Sequence, residues 1–317
     1  MAQPEPNTVL LGDSTEVLKQ FPDNCFSAVV CDPPYGLSAQ PDMREVLKHW
    51  MAGDDYEHGG SGFMGKSWDS FVPGPKLWAE VFRVLKPGGH VLSFSGTRTY
   101  DLMVTAMRLA SFDVRDKLDY YLDVSGYRSW TYGSGFPKSH DIGKATGDEK
   151  WSGYGSALKP AHEPVAQFSK ANEDGTMPES PDAPPFSYTA KPASRERNKG
   201  CSKLYWCGDD MIDKAKHTEL KAENAERKDE EGFKPHKLSR GNIHPTVKPI
   251  ELCRYLVKMV KMPGDNLILD PFCGSGSTLC AAVLEGCDFV GIDMSPFAVE
   301  ISQRRARYYR LLGESGL

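Results

Sequence analysis

Four consecutive residues, Asp32, Pro33, Pro34 and Tyr35, have the types and order of a site for a flat ligand with an amino group. They follow the apolar run 26–30, which predicts a buried strand. Proline has no N–H, so the pair ends the strand and holds the carbonyls of the turn in fixed directions. The Asp32 carboxylate and the Pro33 carbonyl can then accept the two amine hydrogens, while the Tyr35 ring stacks on the ligand plane. Taken alone, the tetrapeptide also fits a plain turn, with Asp32 capping a helix and Tyr35 in the core.

A glycine-rich turn near the end of the chain has the pattern of a nucleotide-binding loop. The predicted strand 266–270 leads into it, a helix follows, and the next predicted strand ends at Asp293, whose carboxylate can accept from ribose hydroxyls. Leu279 stands where a dinucleotide fingerprint has its third glycine, and the Walker lysine is absent, which disfavours a phosphate cradle. The candidate binding residues of this loop are Asp270, Phe272, Cys273, Gly274, Ser275, Gly276, Ser277 and Thr278.

Both candidate sites need an open α/β sheet to position them, because ligands bind at the carboxyl ends of its strands. The strands 8–13 and 26–30, with a short helix between them, predict a βαβ unit with neighbouring parallel strands. This unit places Asp13 at the same sheet edge as Asp32. Residues 116–124 and 128–132 predict an antiparallel hairpin around a glycine turn.

The loop after the first site, residues 40–75, is predicted to be long, glycine-rich and irregular. Its position suggests a lid or a nucleic-acid contact. Residues 133–241 lose clear periodicity and are rich in glycine, proline, serine and charge. We interpret them as an inserted recognition region. Within that region, Cys201 and Cys207 have no second cysteine pair nearby, which argues against a zinc site.

Several motifs together resemble the β-group of S-adenosylmethionine-dependent DNA amino-methyltransferases, which methylate exocyclic amines of adenine or cytosine. The run 32–35 resembles the catalytic motif of that family, and 270–278 resembles its cofactor loop. Residues 244–249, His-Pro-Thr-Val-Lys-Pro, resemble the segment that precedes that loop. The matched segments also include 12–13, 85–89 and 291–293, and altogether they extend over about 8–132 and 242–310.

This resemblance implies an α/β, Rossmann-like methyltransferase with a mostly parallel central sheet, circularly permuted motif order and an inserted recognition region. Residues 1–132 would form the catalytic half, 133–241 the target-recognition region and 242–317 the cofactor-binding half. The strands before Asp32 and Phe272 would then be sheet neighbours, so that S-adenosylmethionine meets the target amine there. Asp13 and Asp293 would hold its ribose and adenine, Asp32 would border it, and the methionine part would lie against Thr246, Lys248 and the 272–278 loop.

The implied reaction begins with a base flipped out of double-stranded DNA. If Asp32 and Pro33 accept the two N–H hydrogens, the lone pair of the amine nitrogen becomes localised. The same contacts, assisted by the Tyr35 ring, would stabilise the positive charge that develops on the nitrogen. No covalent intermediate and no metal are needed. Cytosine C5 methylation would need a thiolate presented by a Pro-Cys motif, and no cysteine here follows a proline.

The sequence leaves alternatives for the base that is methylated and for the class of substrate. In this family, Asp as the first motif residue is associated mainly with adenine N6, although the same acceptors suit cytosine N4. An RNA or protein-glutamine methyltransferase is disfavoured by the motif order, and a catalytically silent DNA-binding module by the intact motifs. Residues 130–138 and 158–164 look like versions in some phage and bacterial members, without revealing a target sequence.

The net charge of −5 does not indicate nucleic-acid binding, but local stretches are basic. Residues 186–206 contain five Lys or Arg against one Glu, and 234–261 contain seven against one. We expect the first stretch to contact DNA phosphates through Arg195, Arg197, Lys199 and Lys203.

The composition predicts a cytoplasmic protein, and the resemblance implies a bacterial or phage-encoded one. No run approaches the roughly 18 apolar residues of a membrane span, and no signal peptide is apparent. The eight cysteines are scattered through apolar patterns, which suits reduced thiols. The resemblance leaves open a homodimer and a cognate restriction enzyme as partners.

Overall fold

The computed structural model describes residues 2–36, 41–59, 67–112, 122–132, 138–158, 162–176, 178, 186–262, 264 and 266–314. Strands within these residues are β1 (Thr8–Leu11), β2 (Phe26–Cys31), β3 (Leu85–Phe94), β4 (Leu122–Thr131), β5 (Lys138–Asp141), β6 (Gly155–Leu158), β7 (His162–Lys170), β8 (Phe186–Tyr188), β9 (Tyr205–Cys207), β10 (Asp210–Ile212), β11 (Leu238–Arg240), β12 (Leu267–Asp270) and β13 (Asp288–Asp293).

Helices alternate with these strands for much of the chain. They are α1 (Ser14–Leu18), α2 (Met43–Met51), α3 (Pro75–Val84), α4 (Tyr100–Phe112), α5 (Ile142–Thr146), α6 (Ser194–Arg197), α7 (Lys214–Glu226), α8 (Ile250–Val260), α9 (Ser277–Leu284) and α10 (Pro296–Glu314). Short 3-10 helices lie at Ser67–Asp69 and Glu149–Trp151. In the described part of the chain, no helix is long and apolar enough to cross a bilayer.

The central sheet has the order β1-β13-β12-β2-β3-β7-β4-β8. The first five strands in this order are parallel, and β7 is antiparallel to both β3 and β4. The β12–β2 pairing of Ile268 with Ala28 and Leu269 with Val29 confirms the prediction that the strands before Asp32 and Phe272 are sheet neighbours. From this pair the chain continues outward in opposite directions, to β3 and to β13, which makes it the topological switch point.

Both faces of the sheet are covered, which explains the unbroken apolar character of its central strands. All six residues of β2 are buried. On one face Phe26 and Val29 pack in the core with α3 and α4, and on the other Ala28 and Val30 pack with α8 and α9. This two-sided core fixes the strand ends that form the site.

Two predicted pairings are wrong. The strands β1 and β2 are parallel and end at the same edge, but they are not neighbours, because β13 and β12 lie between them. The predicted hairpin is also absent from the described residues: β4 is one continuous strand whose partner is β7, with a register shift at Gly126. Part of that prediction, residues 113–121, lies outside the described residues. The glycine permits a bulge rather than a reversal of the chain.

Residues 40–75 are not irregular throughout, because they contain α2. Asp42 caps this helix by accepting from the backbone N–H of Arg44, and its inner face buries Val46 and Trp50. Residues 60–66 of the predicted lid lie outside the described residues. The range 133–241 contributes β7 and β8 to the central sheet, the β5–β6 pair, and a small sheet of order β10-β9-β11.

Candidate active site

A cavity of about 830 Å³ lies at the carboxyl ends of β1, β2, β12 and β13. Its lining includes Trp68, Phe71 and Pro73, which belong to the segment before α3. The structure brings together most of the residues predicted from sequence, since its lining includes Asp13, Asp32, Pro34, Thr246, Lys248, Asp270, Phe272, Cys273, Gly274, Ser275, Ser277, Thr278 and Asp293.

The turn after β2 is held rigidly by a carboxylate. Asp69, which is buried, accepts hydrogen bonds from the backbone N–H groups of Tyr35 and Gly36 at 2.7 and 3.2 Å. The Tyr35 carbonyl accepts from the Thr99 hydroxyl at 2.6 Å. Gly36 adopts a φ of +64°, and an added Cβ would lie 3.1 Å from the Phe71 backbone. The proline turn is therefore fixed from both sides, which preorganises its acceptors.

A buried ion cluster surrounds Asp32. The Lys248 ammonium lies 2.5 Å from Asp32 Oδ2, 3.2 Å from Glu163 Oε2 and 3.1 Å from the Tyr35 hydroxyl. Burial by itself would lower the pKa of Lys248, but Asp32 and Glu163 outweigh it, so the pKa is raised. Burial, and then the same two carboxylates, raises the pKa of Tyr35 well above its ordinary value. The site therefore contains a lysine ammonium and a neutral tyrosine.

The other oxygen of the same carboxylate, Asp32 Oδ1, is buried and has no hydrogen-bond partner among the described residues. A buried acceptor without a donor is costly in free energy. Asp32 borders the cavity. Its Oδ1 is thus a vacant acceptor with the chemistry that an N–H donor of a ligand requires.

The glycine loop is fastened to the end of β13. Asp293 Oδ2 accepts from the Gly274 backbone N–H, and its Oδ1 accepts from that of Ser295, both at 2.8 Å. Burial raises the pKa of Asp293. Gly274 has a φ of +47°, and a Cβ there would lie 3.0 Å from His244 Nε2. The carboxylate predicted to hold ribose thus also shapes the loop.

Gly276 is required for a different reason from the one that its sequence pattern suggests. It does not line the cavity, and an added Cβ would lie 2.8 Å from the Ser302 Cβ of α10. Its φ of +75° also disfavours a side chain. Helix packing, rather than close approach to a ligand, is therefore the constraint that the structure shows at this position.

Two further carboxylates serve local structure as well as lining the cavity. Asp13 caps α1 by accepting from the Glu16 backbone N–H at 3.2 Å. Asp270 accepts from the Phe272 backbone N–H at 3.1 Å, and burial raises its pKa to about 8. Asp270 is therefore mostly protonated at neutral pH in the free protein.

Sequence reasoning missed Glu163, Asp69 and Arg305. Glu163 lies in a segment whose similarity to other proteins was noted, but nothing local connects it to Lys248. Arg305 is fully buried and donates to the Ser275 carbonyl at 2.5 Å, which supports the cofactor loop from behind. Arg305 is one of four arginines in α10, and nothing in the local sequence distinguishes it from the others.

The residues predicted to contact DNA phosphates have different environments. Arg195 and Lys203 are exposed. Arg197 is half-buried and donates to the His244 carbonyl at 2.7 Å, and burial together with Arg305 lowers its pKa. Lys199 lies with its ammonium 5.3 Å from the centre of the Tyr309 ring. Arg197 thus braces the 244–249 segment, whereas Arg195 and Lys203 face solvent.

These features fit a nucleoside-type ligand with a charged tail. The cavity has a volume within the range of small-molecule sites, and its carboxylates Asp13 and Asp293 border one part of it while Asp32 borders another. The Lys248 backbone carbonyl accepts from the Ser277 hydroxyl at 2.8 Å, which ties the ion cluster around Asp32 to the glycine loop.

Comparisons with known proteins identify the family of the chain. The profile of the N6/N4 methyltransferase family, described as DNA methylase, matches residues 26–304. The type II methyltransferase M.HindIII of Haemophilus influenzae is 25% identical, with 92% of this chain and 93% of that protein aligned. The DNA adenine methyltransferase YhdJ of Escherichia coli is 22% identical, with 95% of this chain and 83% of that protein aligned.

Solved structures share the fold at low sequence identity. The M1.HpyAVI–SAM complex has a TM-score of 0.51 at 14% identity, over 94% of this chain and 98% of the other. The cytosine-N4-specific PvuII DNA methyltransferase has a TM-score of 0.53 at 18% identity, over 95% of this chain and 88% of the other. With the family profile extending over most of its length, the chain belongs to the N6/N4 family of S-adenosylmethionine-dependent DNA methyltransferases.

Proposed function

We propose that this protein transfers the methyl group of S-adenosylmethionine to the exocyclic N6 of an adenine flipped out of a specific DNA sequence. The observation that carries the proposal is the vacant, buried Asp32 Oδ1, in a motif whose first residue is Asp and whose last is Tyr35. The relative from Escherichia coli is named an adenine methyltransferase, which supports the choice of base.

The residues of this chain would act on the amine. Asp32 Oδ1 and the Pro33 carbonyl accept its two N–H hydrogens, which localises the lone pair that is otherwise delocalised into the base. The cofactor supplies an electrophilic methyl group when it is bound in the cavity. The amine nitrogen would take this methyl group, with the bonding electrons staying on the departing sulfur, and would then release one proton to Asp32 Oδ1, which already accepts from that N–H. Tyr35 stacks on the base, and Pro34 keeps the turn extended.

We also propose that residues 13, 246, 248, 270, 272–278 and 293 hold the cofactor, with Gly276 contributing through the helix contact described above. Residues 133–241 would contain the recognition surface. In support, the chain leaves β4 at Thr131 and returns to β7 opposite it, at His162, on the edge where the cavity opens. The intervening β5–β6 element exposes Trp151 and Tyr154, which can stack on bases.

Cytosine N4 is the second candidate, because an acceptor at Asp32 suits its amine equally well. The fold similarity to the cytosine-N4-specific PvuII enzyme does not decide between the bases. Nucleoside mass spectrometry of plasmid DNA methylated by the purified protein is the test. We expect N6-methyladenine, and N4-methylcytosine without N6-methyladenine would overturn the assignment of the base.

Other substrates are separated by two further measurements. An RNA or protein-glutamine substrate would show preferential methyl incorporation when it competes with DNA. A catalytically silent module would incorporate no methyl group and need not bind the cofactor, which calorimetry detects. A homodimer and a cognate restriction enzyme stay predictions, and the name of the relative M.HindIII, a type II methyltransferase, supports a search for the latter.

A further inference from the structure

Glu163 lies at the start of β7, next to the reaction site but on a strand that the catalytic motif does not include. Its side chain is 16% exposed. Oε2 accepts from the Tyr35 hydroxyl at 2.9 Å and pairs with the Lys248 ammonium at 3.2 Å. Burial, and then the charge of Glu163, raises the pKa of Tyr132 to about 12. Two donors, the Tyr35 hydroxyl and the Lys248 ammonium, therefore converge on this carboxylate.

The ammonium held by Glu163 sits among aromatic faces. Lys248 Nζ is 4.8 Å from the ring centre of Phe94, 5.2 Å from that of Tyr35 and 6.0 Å from that of Trp130. These distances are those of cation–π contacts. Because the ammonium is bound to Asp32 Oδ2 as well, its position decides which Asp32 oxygen is left for the amine.

The charge of the cluster depends on Glu163. Asp32 and Glu163 each contribute one negative charge and Lys248 one positive charge, so the cluster is net negative. During methyl transfer the amine nitrogen gains positive charge. Without Glu163, Lys248 would neutralise Asp32, and the developing cation would face a cluster with no net charge.

We propose that Glu163 is a positioning residue for methyl transfer, which holds Lys248 and Tyr35 so that Asp32 Oδ1 faces the amine and keeps the cluster net negative. The inference rests on the proposed role of Asp32 as the amine acceptor. It does not depend on whether the amine is adenine N6 or cytosine N4.

The first test is Glu163→Gln, which keeps the shape and an acceptor for Tyr35 but removes the charge. We expect the single-turnover rate of tritium transfer into plasmid DNA, at saturating cofactor and DNA, to fall roughly 10- to 100-fold. Binding of S-adenosylhomocysteine and the melting temperature should change little. Glu173→Gln, on the exposed turn after β7, is the matched control and should retain the wild-type rate. A Glu163→Gln rate within about threefold of wild type would overturn the proposal.

The second test asks whether Glu163 acts through Lys248. In a Lys248→Met background, Glu163→Gln should lower the rate by a factor at least about threefold smaller than in the wild type, because the ammonium that it positions is gone and only its charge and its contact with Tyr35 are lost. Equal losses in both backgrounds would contradict the positioning of Lys248. Glu163→Asp retains the charge and should exceed the Glu163→Gln rate by at least about threefold. If the Gln variant does not fold, Glu163→Ser takes its place as the charge-free variant in both comparisons. If the wild-type protein methylates cytosine, that result would overturn the assignment of the base and leave the role of Glu163 in place.

Discussion

Replacement of Asp270 by asparagine should make the folded protein less sensitive to pH between about 5 and 8. Asp270 ends β12 and is 2% exposed. Burial raises its pKa from an ordinary 3.8 to about 8, with the nearby charges of Asp32 and Asp293 adding to the effect. Asparagine resembles the protonated acid and keeps an acceptor for the Phe272 backbone N–H.

The sign follows from the proton bound by each state. Between the unfolded pKa of 3.8 and the folded pKa of about 8, folded Asp270 holds a proton that the unfolded chain has lost. The contribution of Asp270 to the free energy of unfolding is therefore fully present below pH 3.8, and it is lost as the pH rises through about 8. Each pH unit within the window is worth at most about 1.4 kcal/mol. Water in the adjoining cavity weakens the effect, so we expect roughly 2–4 kcal/mol from pH 5 to 8.

Urea unfolding of the wild type and Asp270→Asn at several pH values between about 5 and 8 measures this difference. The variant should gain stability over the wild type as the pH rises. Asp101→Asn, at an exposed position of α4, is a matched control for which the difference should stay constant. Stability curves of wild type and Asp270→Asn that run parallel to within about 0.5 kcal/mol would refute the reasoning.

Three other variants test separate parts of the protein. Asp32→Ala should lower methyl transfer at least about 100-fold with little change in S-adenosylhomocysteine affinity, and activity within about tenfold of wild type would contradict its role at the amine. Gly276→Val should destabilise the protein by at least about 2 kcal/mol, because the valine side chain would meet Ser302 and because φ at this position is positive. Thermal unfolding measures the loss, and a variant as stable as the wild type would show that α10 can move. Neutralising the exposed Arg195 and Lys203 should lower DNA affinity and reduce its slope against log salt by up to about two, whereas an unchanged slope would place the DNA surface elsewhere.

Local sequence patterns determined the strands that lead into the motifs, and the positions of the motifs themselves. The apolar run of β2 reflects the burial of that strand, and the acid at the end of β13 marks where that strand stops. Both features are visible within a few consecutive residues. The contact between β2 and β12 followed from the motif order of the family. Asp32, Asp270 and Asp293 consequently reach one cavity, as the sequence predicted.

The tertiary structure alone decided which distant segments complete the site. The strand β7 enters the sheet between β3 and β4, and its ladder partners are chosen by non-local packing, which a single sequence does not display. That choice brings Glu163 to Lys248, a contact between residues 85 positions apart in the chain. The contact of Gly276 with Ser302 likewise depends on how α10 packs. Such contacts depend on which buried groups the packed fold brings close together. The types and spacing of neighbouring residues in the sequence do not reveal this.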